Sequence, residues 1–391
     1  MRAGYGGGER LASNLLVTRR GYGAGMTKPM PSASFTRLTP ALGLECVDGL
    51  ALEIDQVAAG AAPSHQFLRH GWFAAALEAY GGQARTLIVT REGERVATLP
   101  LVAAGPRRLG LMAVPGCYWP FRSFPMRVDA GVEEAGALLD GLASHARGLR
   151  LGPVYDGDPA LELLKAAARA RGWAVLDRFL GDSFVLDLAA VKAQGPWPRS
   201  STLRSNRYHE KQLGSLGAVR WDVVSGEGWS EAAFADLAEV ERKSWIATRT
   251  DGSGAKFIRD GHGAFWRAAV RDPVIAQMLS AAMLHVDAAP AAFSFDLHAG
   301  ALKYVIANSY DPAFARQSPG KLLYYRNLVR AIGDGVASVD WGAGDSGYKQ
   351  GTGAQRGPAI RDWLFIRPGL PAMGANLLKG VWRRSGNVEA R

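Results

Sequence analysis

Hydrophobic and polar positions change period along the chain, and the changes predict its elements. Ala292–His298 and Ala301–Asn308 are apolar-rich runs joined by Ala299-Gly300, the pattern of a hairpin with a tight turn. After Tyr310-Asp311-Pro312 and Arg316-Gln-Ser-Pro-Gly320, a helical pattern runs from Lys321 to Ile332. A strand, Val336–Asp340, follows, then the loop Gly342-Ala-Gly344-Asp-Ser-Gly347-Tyr-Lys349. Upstream lie a basic helix Ser201–Leu216, a strand Val219–Val224, helices Ser230–Ile246 and Gly254–Arg271, and a strand Met278–Val286; Asp362–Ile366 closes the unit as a strand. The earlier part reads as strand Leu50–Val57, helix Ser64–Tyr80, and hairpin Arg85–Val102 about Glu92-Gly93. Helix Val132–Arg147, a strand from Leu149, helix Pro159–Arg171 and two strands in Trp173–Leu188 follow.

Both parts place helices before a meander and one after it, so the architecture repeats without residue-level duplication. The expectation is an α/β protein with two tandem domains on mixed sheets. Residues 1–40, rich in glycine, serine and proline, read as an unpacked segment. Residues 41–190 and 191–370 read as the two domains, divided near Pro196-Trp-Pro198, and 371–391 as a basic tail.

Composition narrows the class. A chain of 391 residues, 48% hydrophobic and 21% charged, has the make-up of a globular protein with length for two cores. Its two cysteines, Cys46 and Cys117, lack metal-site or disulfide-framework spacing, which points to a reducing, cytoplasmic setting. No apolar run reaches the ~20 residues that span a bilayer. The seven histidines lack metal-ligand spacing, and there is no Gly-x-Ser-x-Gly elbow, His-Glu-x-x-His or Walker loop. A metal-free chemistry is therefore expected. The net charge of +10 favours an anionic partner: a phosphorylated donor, nucleic acid, or an anionic membrane face touched by the basic tails.

The sharpest chemical signal is the start of the Lys321–Ile332 helix. Ser318 can cap it and Pro319 suits its first turn, while Gly320 leaves the backbone open and Lys321 adds charge. Exposed amides at such a start attract phosphate. Asp340 ends a strand beside a glycine loop, where open α/β sheets bind ligands, and is the candidate base. Tyr348 offers a phenol that can give a proton, and Lys349 can hold a phosphate or carboxylate. Glu241 and Trp245, one turn apart, can line an acceptor site. Arg122 among Trp119, Phe121 and Phe124 offers one cation on an apolar wall, suited to an acyl chain or an amphiphilic acceptor. Arg204, Arg207 and Lys211 form a basic stripe whose plain reading is a solvated face. Asp296 and His298 share a strand face that reads as surface.

Four segments together resemble the acyltransferase domain of CelD-type proteins of cellulose and exopolysaccharide biosynthesis, a FemAB-related branch of the GNAT superfamily. They are Leu203-Arg-Ser-Asn-Arg207 with Lys211, Leu213 and Gly217; Glu241-Arg-Lys-Ser-Trp245; Ser318-Pro-Gly320-Lys-Leu-Leu323; and Asp340-Trp-Gly342-Ala-Gly344 with Tyr348-Lys349. The resemblance implies tandem GNAT-like domains and an N-acyltransferase that uses acyl-CoA or an acyl carrier protein. Arg316, Gln317, Ser318, Gly320 and Lys321 would hold the donor phosphates. Leu322 replaces the second small residue of the usual loop. The implied acceptor is an amino sugar or an amphiphilic amine such as a sphingoid base, met in the cytoplasm or at the inner membrane face. The alternatives are a non-catalytic component of a polysaccharide-assembly complex and aminoacyl-tRNA-dependent transfer, although a nucleic-acid partner is not the expectation.

Overall fold

The computed structural model describes residues 41–117, 122–244, 247, 255–258, 261–344 and 348–385. Twelve strands form one sheet in the order β1-β2-β3-β4-β5-β12-β6-β11-β10-β9-β8-β7. The N-terminal half holds β1 Leu42–Asp48, α1 Glu53–Ala59, α2 His70–Tyr80, β2 Ala84–Arg91, β3 Glu94–Ala104, β4 Leu111–Ala113, α3 Val132–His145, β5 Gly148–Tyr155, α4 Pro159–Ala170 and β6 Ala174–Asp187. After α5 Leu188–Ala193 and α6 Ser200–Gly214 come β7 Val219–Ser225, α7 Glu231–Lys243, α8 His262–Ala269, α9 Pro273–Met278, β8 Leu279–Val286, β9 Ala289–Ala299 and β10 Leu302–Tyr310. The C-terminal half ends with α10 Pro319–Gly333, β11 Ser338–Ala343, α11 Tyr348–Gly351, β12 Gln355–Ile366 and α12 Leu370–Ser385.

The strand order reads the same from both ends once β1–β6 are matched to β7–β12. Each half runs through four antiparallel strands, a helix, and a fifth strand parallel to the fourth: β4 with β5, and β10 with β11. Each half then gives its last strand to the other. β12 enters between β5 and β6, and β6 pairs with β11. The long β6–β12 ladder lies on the pseudo-twofold axis. The repeat expected from the sequence is thus present, within one continuous mixed sheet of two similar halves.

A shared core joins the halves. Trp72 of α2 meets Phe265 at 4.9 Å and Trp266 at 5.9 Å edge-on, and Trp266 meets Phe295 of β9 at 4.9 Å. Such pairs contribute about 1 kcal/mol each beyond their buried area. Arg69 bridges Asp55 and Asp272, tying α1, α2 and the α9 cap. The β9–β10 turn places Gly300 at φ +64°, where an added Cβ would lie 2.7 Å from Pro63, so two requirements converge on glycine.

Several elements differ from expectation. Leu50–Val57, read as a strand, contains the start of helix α1, whose buried Ile54, Val57 and Ala58 have helical spacing. The helix read over Ser64–Tyr80 begins only at His70, after a short turn at Pro63–His65. Trp173–Leu188 is one strand rather than two. The closing strand starts at Gln355, seven residues before the expected Asp362.

Candidate active site

The parallel pair β10–β11 is registered only at Leu302–Ser338, Lys303–Val339 and Tyr304–Asp340. Beyond that point the strands part. A bulge between Val305 and Ala307 re-aims β10, which stays paired with β9 as far as Tyr310. β11 turns away through Gly342 and Gly344, at φ +66° and +73°. The result is a slot of about 940 Å³. Its long side is the β10 edge from Val305 to Tyr310, five steps of ~3.3 Å or ~17 Å, beyond the end of its register with β11 among the described residues. An extended chain bearing amides can hydrogen-bond along such an edge.

Helix α10 begins at the slot's mouth, where Gly320 and Lys321 line the opening. Pro319 occupies the first turn, as expected. The expected cap does not form: Ser318 adopts the left-handed conformation, φ 51° and ψ 50°, and makes no side-chain cap bond. The first turn carries no acidic residue. Its amides therefore keep their partial positive charge toward the mouth. A Cβ at Gly320 would sit 3.1 Å from the Tyr310 ring, so glycine keeps helix start and strand end close. Arg316 and Gln317 belong to the preceding 3-10 turn, Pro312–Gln317, and are not among the slot's lining residues.

The slot's inner end is polar and self-satisfied. Lys303 Nζ lies 2.9 Å from Asp296 Oδ2 and donates to Asn327 Oδ1 at 2.8 Å. Asn327 Nδ2 and Ser294 Oγ donate to the two Asp296 oxygens at 2.8 and 2.9 Å. Asp296, expected at the surface, is fully buried because it neutralises Lys303. His298 is partly buried against Ser280, and burial, assisted by the nearby Lys303 charge, lowers its pKa. Two slot-lining residues carry a buried polar atom without a protein partner among the described residues, Ser309 Oγ and Trp341 Nε1. A bound polar chain can satisfy them.

Asp340 stands at the apex where the strands part. Its neighbour Trp341 lines the slot, so strand alternation turns Asp340 to the opposite face, toward Tyr155 and Tyr304. Burial pushes its pKa up to about 6, against the opposing effects of the Gly342 amide, Tyr155 and Lys349. Gly342 N donates to Asp340 Oδ1 at 2.6 Å. Burial, with Asp340 nearby, raises the pKa values of both tyrosines.

Two other candidates hold structure instead. Both Glu241 oxygens are taken by backbone amides, Oε1 by Lys256 at 2.7 Å and Oε2 by Phe257 at 2.7 Å and Ile258 at 3.0 Å. That use fixes the 256–258 segment beside the slot, which Glu241 and Lys256 both line. Lys349 Nζ donates to the carbonyls of Trp341, Ala343 and Gly344 at 2.9, 3.1 and 2.5 Å, with Gly342 at 3.4 Å. Its charge closes the glycine loop.

Arg122 lies in the N-terminal half, outside the slot lining, where its Nε donates to Cys117 O at 3.3 Å. Burial lowers its pKa, and the like charge of Arg150 adds to the effect. Trp119 and Trp245 lie outside the described residues, as does the Tyr348 side chain; the Tyr348 backbone starts α11. Sequence reasoning missed Ser309, Tyr310, Tyr324, Asn327 and Trp341, all in the slot wall. The alternation Lys303, Val305, Ala307, Ser309 carried part of that signal, but the bulge shifts the register midway.

Known proteins bear on this geometry. Residues 200–350, the span that holds nearly all of the slot, match a family model described as an acetyltransferase (GNAT) domain. No curated protein matches the chain in sequence. Among solved structures, FemX superposes with a TM-score of 0.54 at 14% identity, covering 86% of this chain and 100% of its own. The C-terminal domain (DUF2156) of a protein assigned as a lysylphosphatidylglycerol synthetase from Agrobacterium fabrum gives 0.50 at 14% identity, covering 85% and 95%. A tandem GNAT protein of clavulanic acid biosynthesis gives 0.43 at 17% identity, covering 84% and 100%. At these identities the structural likeness is one of fold. Residues 200–350 are thus similar to a GNAT acetyltransferase domain, and the chain as a whole shares its fold with FemX.

Proposed function

We propose that the protein transfers an acyl group from a thioester donor, acyl-CoA or its carrier-bound equivalent, to a primary amine, with the donor in the β10–β11 slot. The observation that carries this reading is a ~17 Å stretch of β10 beyond its register with β11, beside an uncapped, lysine-bearing helix start at its open end. The edge suits the amides of a pantetheine arm, and the helix start suits its phosphate. Gly320 and Lys321 hold the phosphate end, while Ser309 and Trp341 bond the arm. The thioester carbon then reaches the apex at Tyr304 and Asp340.

The amine approaches from the opposite face. Its nitrogen attacks the carbonyl carbon, the C–N bond forms, and the C–S bond breaks. The nitrogen's surplus proton passes to Asp340, and the thiolate leaves along the slot and takes a proton from solvent or from Tyr348. With a pKa of about 6, Asp340 is mostly ionised at neutral pH yet still basic enough to act. In this reading Arg122 and Trp119 belong to the acceptor side, with an amino sugar or a sphingoid base as acceptor classes. The basic tails can hold the protein at an anionic membrane surface if the acceptor is a lipid.

The test is thiol release from a long-chain acyl-CoA in the presence of glucosamine or detergent-solubilised sphingosine. One amine should release free CoA with a rate that rises through pH ~6, and Asp340→Asn should lower turnover by roughly 10²-fold and abolish that limb. The same variant should be more stable than the wild type at pH 8, by up to about 3 kcal/mol. A carboxylate with a raised folded pKa favours folding at low pH and loses that advantage as pH rises through 6. Full turnover in a folded Asp340→Asn protein would remove Asp340 from the chemistry. No release with any amine would contradict the transferase reading.

A further inference from the structure

Helix α6 is an exposed basic face beside the donor mouth. Of its fifteen residues only Leu213 is buried, packed with Leu322 and Leu323 of α10 and against Phe314 of the turn before α10. The helix therefore lies on the structure that presents Gly320 and Lys321. Arg204, Arg207 and Lys211 project from it into solvent, and Arg199, Arg316 and Lys321 flank it. None of these six cations has a carboxylate within salt-bridge distance among the described residues. The one described ion pair on α6 joins Glu210 to Arg326. Leu203 and Tyr208 are exposed among the cations. Cations interleaved with apolar side chains are the composition of a protein-docking surface more than of a merely solvated face.

The extent of this face separates it from the phosphate site. α6 spans ~22 Å, fifteen residues at ~1.5 Å each, whereas a nucleotide diphosphate at Lys321 engages only the nearest cations. We infer that α6 docks an acidic carrier protein that delivers the acyl group as a thioester on a phosphopantetheine arm. The arm enters the slot at Gly320, its single phosphate meets the α10 amides, and the carrier's acidic surface lies on Arg204, Arg207 and Lys211. After transfer the thiol remains on the arm and leaves with the carrier. The slot favours this partner over RNA, because an aminoacyl ester on a terminal ribose brings no amide arm to the ~17 Å strand edge. The inference rests on the thioester-donor reading above.

Its test is a binding comparison on the full chain. Affinities are measured for an acidic acyl carrier protein loaded with a hexadecanoyl thioester, for hexadecanoyl-CoA, and for tRNA. The wild type should bind the carrier, and binding should weaken with salt as screening shortens. Arg204→Glu/Arg207→Glu/Lys211→Glu should lower carrier affinity by roughly 10-fold or more and leave hexadecanoyl-CoA affinity unchanged, which also reports a folded slot. Hexadecanoyl-CoA binding without carrier binding would overturn the carrier while sparing the donor reading. Unchanged carrier affinity in the triple variant would overturn the α6 assignment. A loss of tRNA binding with no carrier binding would make the partner RNA. Failure of both thioesters to bind would overturn the inference together with the reading beneath it.

Discussion

The two halves of the sheet begin from the same plan and reach opposite ends. Each has a fourth strand parallel to its fifth, with a helix between them, and in each the parallel register lasts three residues. In the N-terminal half the chain itself occupies the space where the strands would part. Val114 N bonds Arg150 O, Arg122 N bonds Pro153 O, and Thr98 N bonds Pro125 O, with Cys117, Ser123 and Phe124 buried along the way. Helix α3 is closed by its own carboxylate, Glu134 Oε2, which accepts from Gly131 N at 2.8 Å, while Glu133 adds negative charge to the first turn. The C-terminal half leaves the strand edge open and puts a lysine where α3 has glutamates. One fold therefore yields a filled half and an open half, the latter the proposed donor site. The difference lies in the segment after the fourth strand and in the residues of the helix's first turn.

The largest expected effect falls on the loop that keeps the C-terminal half open. Lys349→Met should release the carbonyls of Trp341, Ala343 and Gly344, lowering stability by about 3 kcal/mol and letting Trp341 move into the slot. Denaturant unfolding and donor binding both report it; a stable variant with native donor affinity would show the loop holding itself. A smaller effect is expected in the filled half. Glu134→Ala removes the α3 cap and one of the two carboxylate partners of Arg91, and should lower stability by about 1–2 kcal/mol without changing donor affinity. A change in donor affinity there would mean that α3, too, meets the ligand.

The contrast was only partly legible in the sequence. Pro319, Gly320 and Lys321 announce the helix start and its charge through local chemistry, and the structure starts the helix at Pro319 with Gly320 and Lys321 in the slot lining. The slot itself depends on where β10 and β11 stop pairing, a non-local fact set by the bulge at Val305–Ala307 and the positive φ of Gly342 and Gly344. Lys349 and Glu241 stood out as polar residues in the right places, but their partners are backbone groups that no side-chain pattern reveals. The strand exchange was equally hidden. Gly357 and Pro358 break the β pattern at the start of β12, and β6 holds Gly181-Asp182, which reads as a turn, in mid-strand. Leu52-Glu-Ile-Asp55 alternates like a strand, yet helical packing of Ile54, Val57 and Ala58 prevails.

The most direct test of the comparison is the stoichiometry of donor binding by calorimetric titration with acyl-CoA. One donor per chain is expected. Gly320→Val, which crowds Tyr310 and covers the α10 amides, should weaken that single site by roughly 10-fold or more while the protein stays folded. Two donors per chain, or one donor bound with native affinity by a folded Gly320→Val variant, would contradict the assignment of binding to the C-terminal slot.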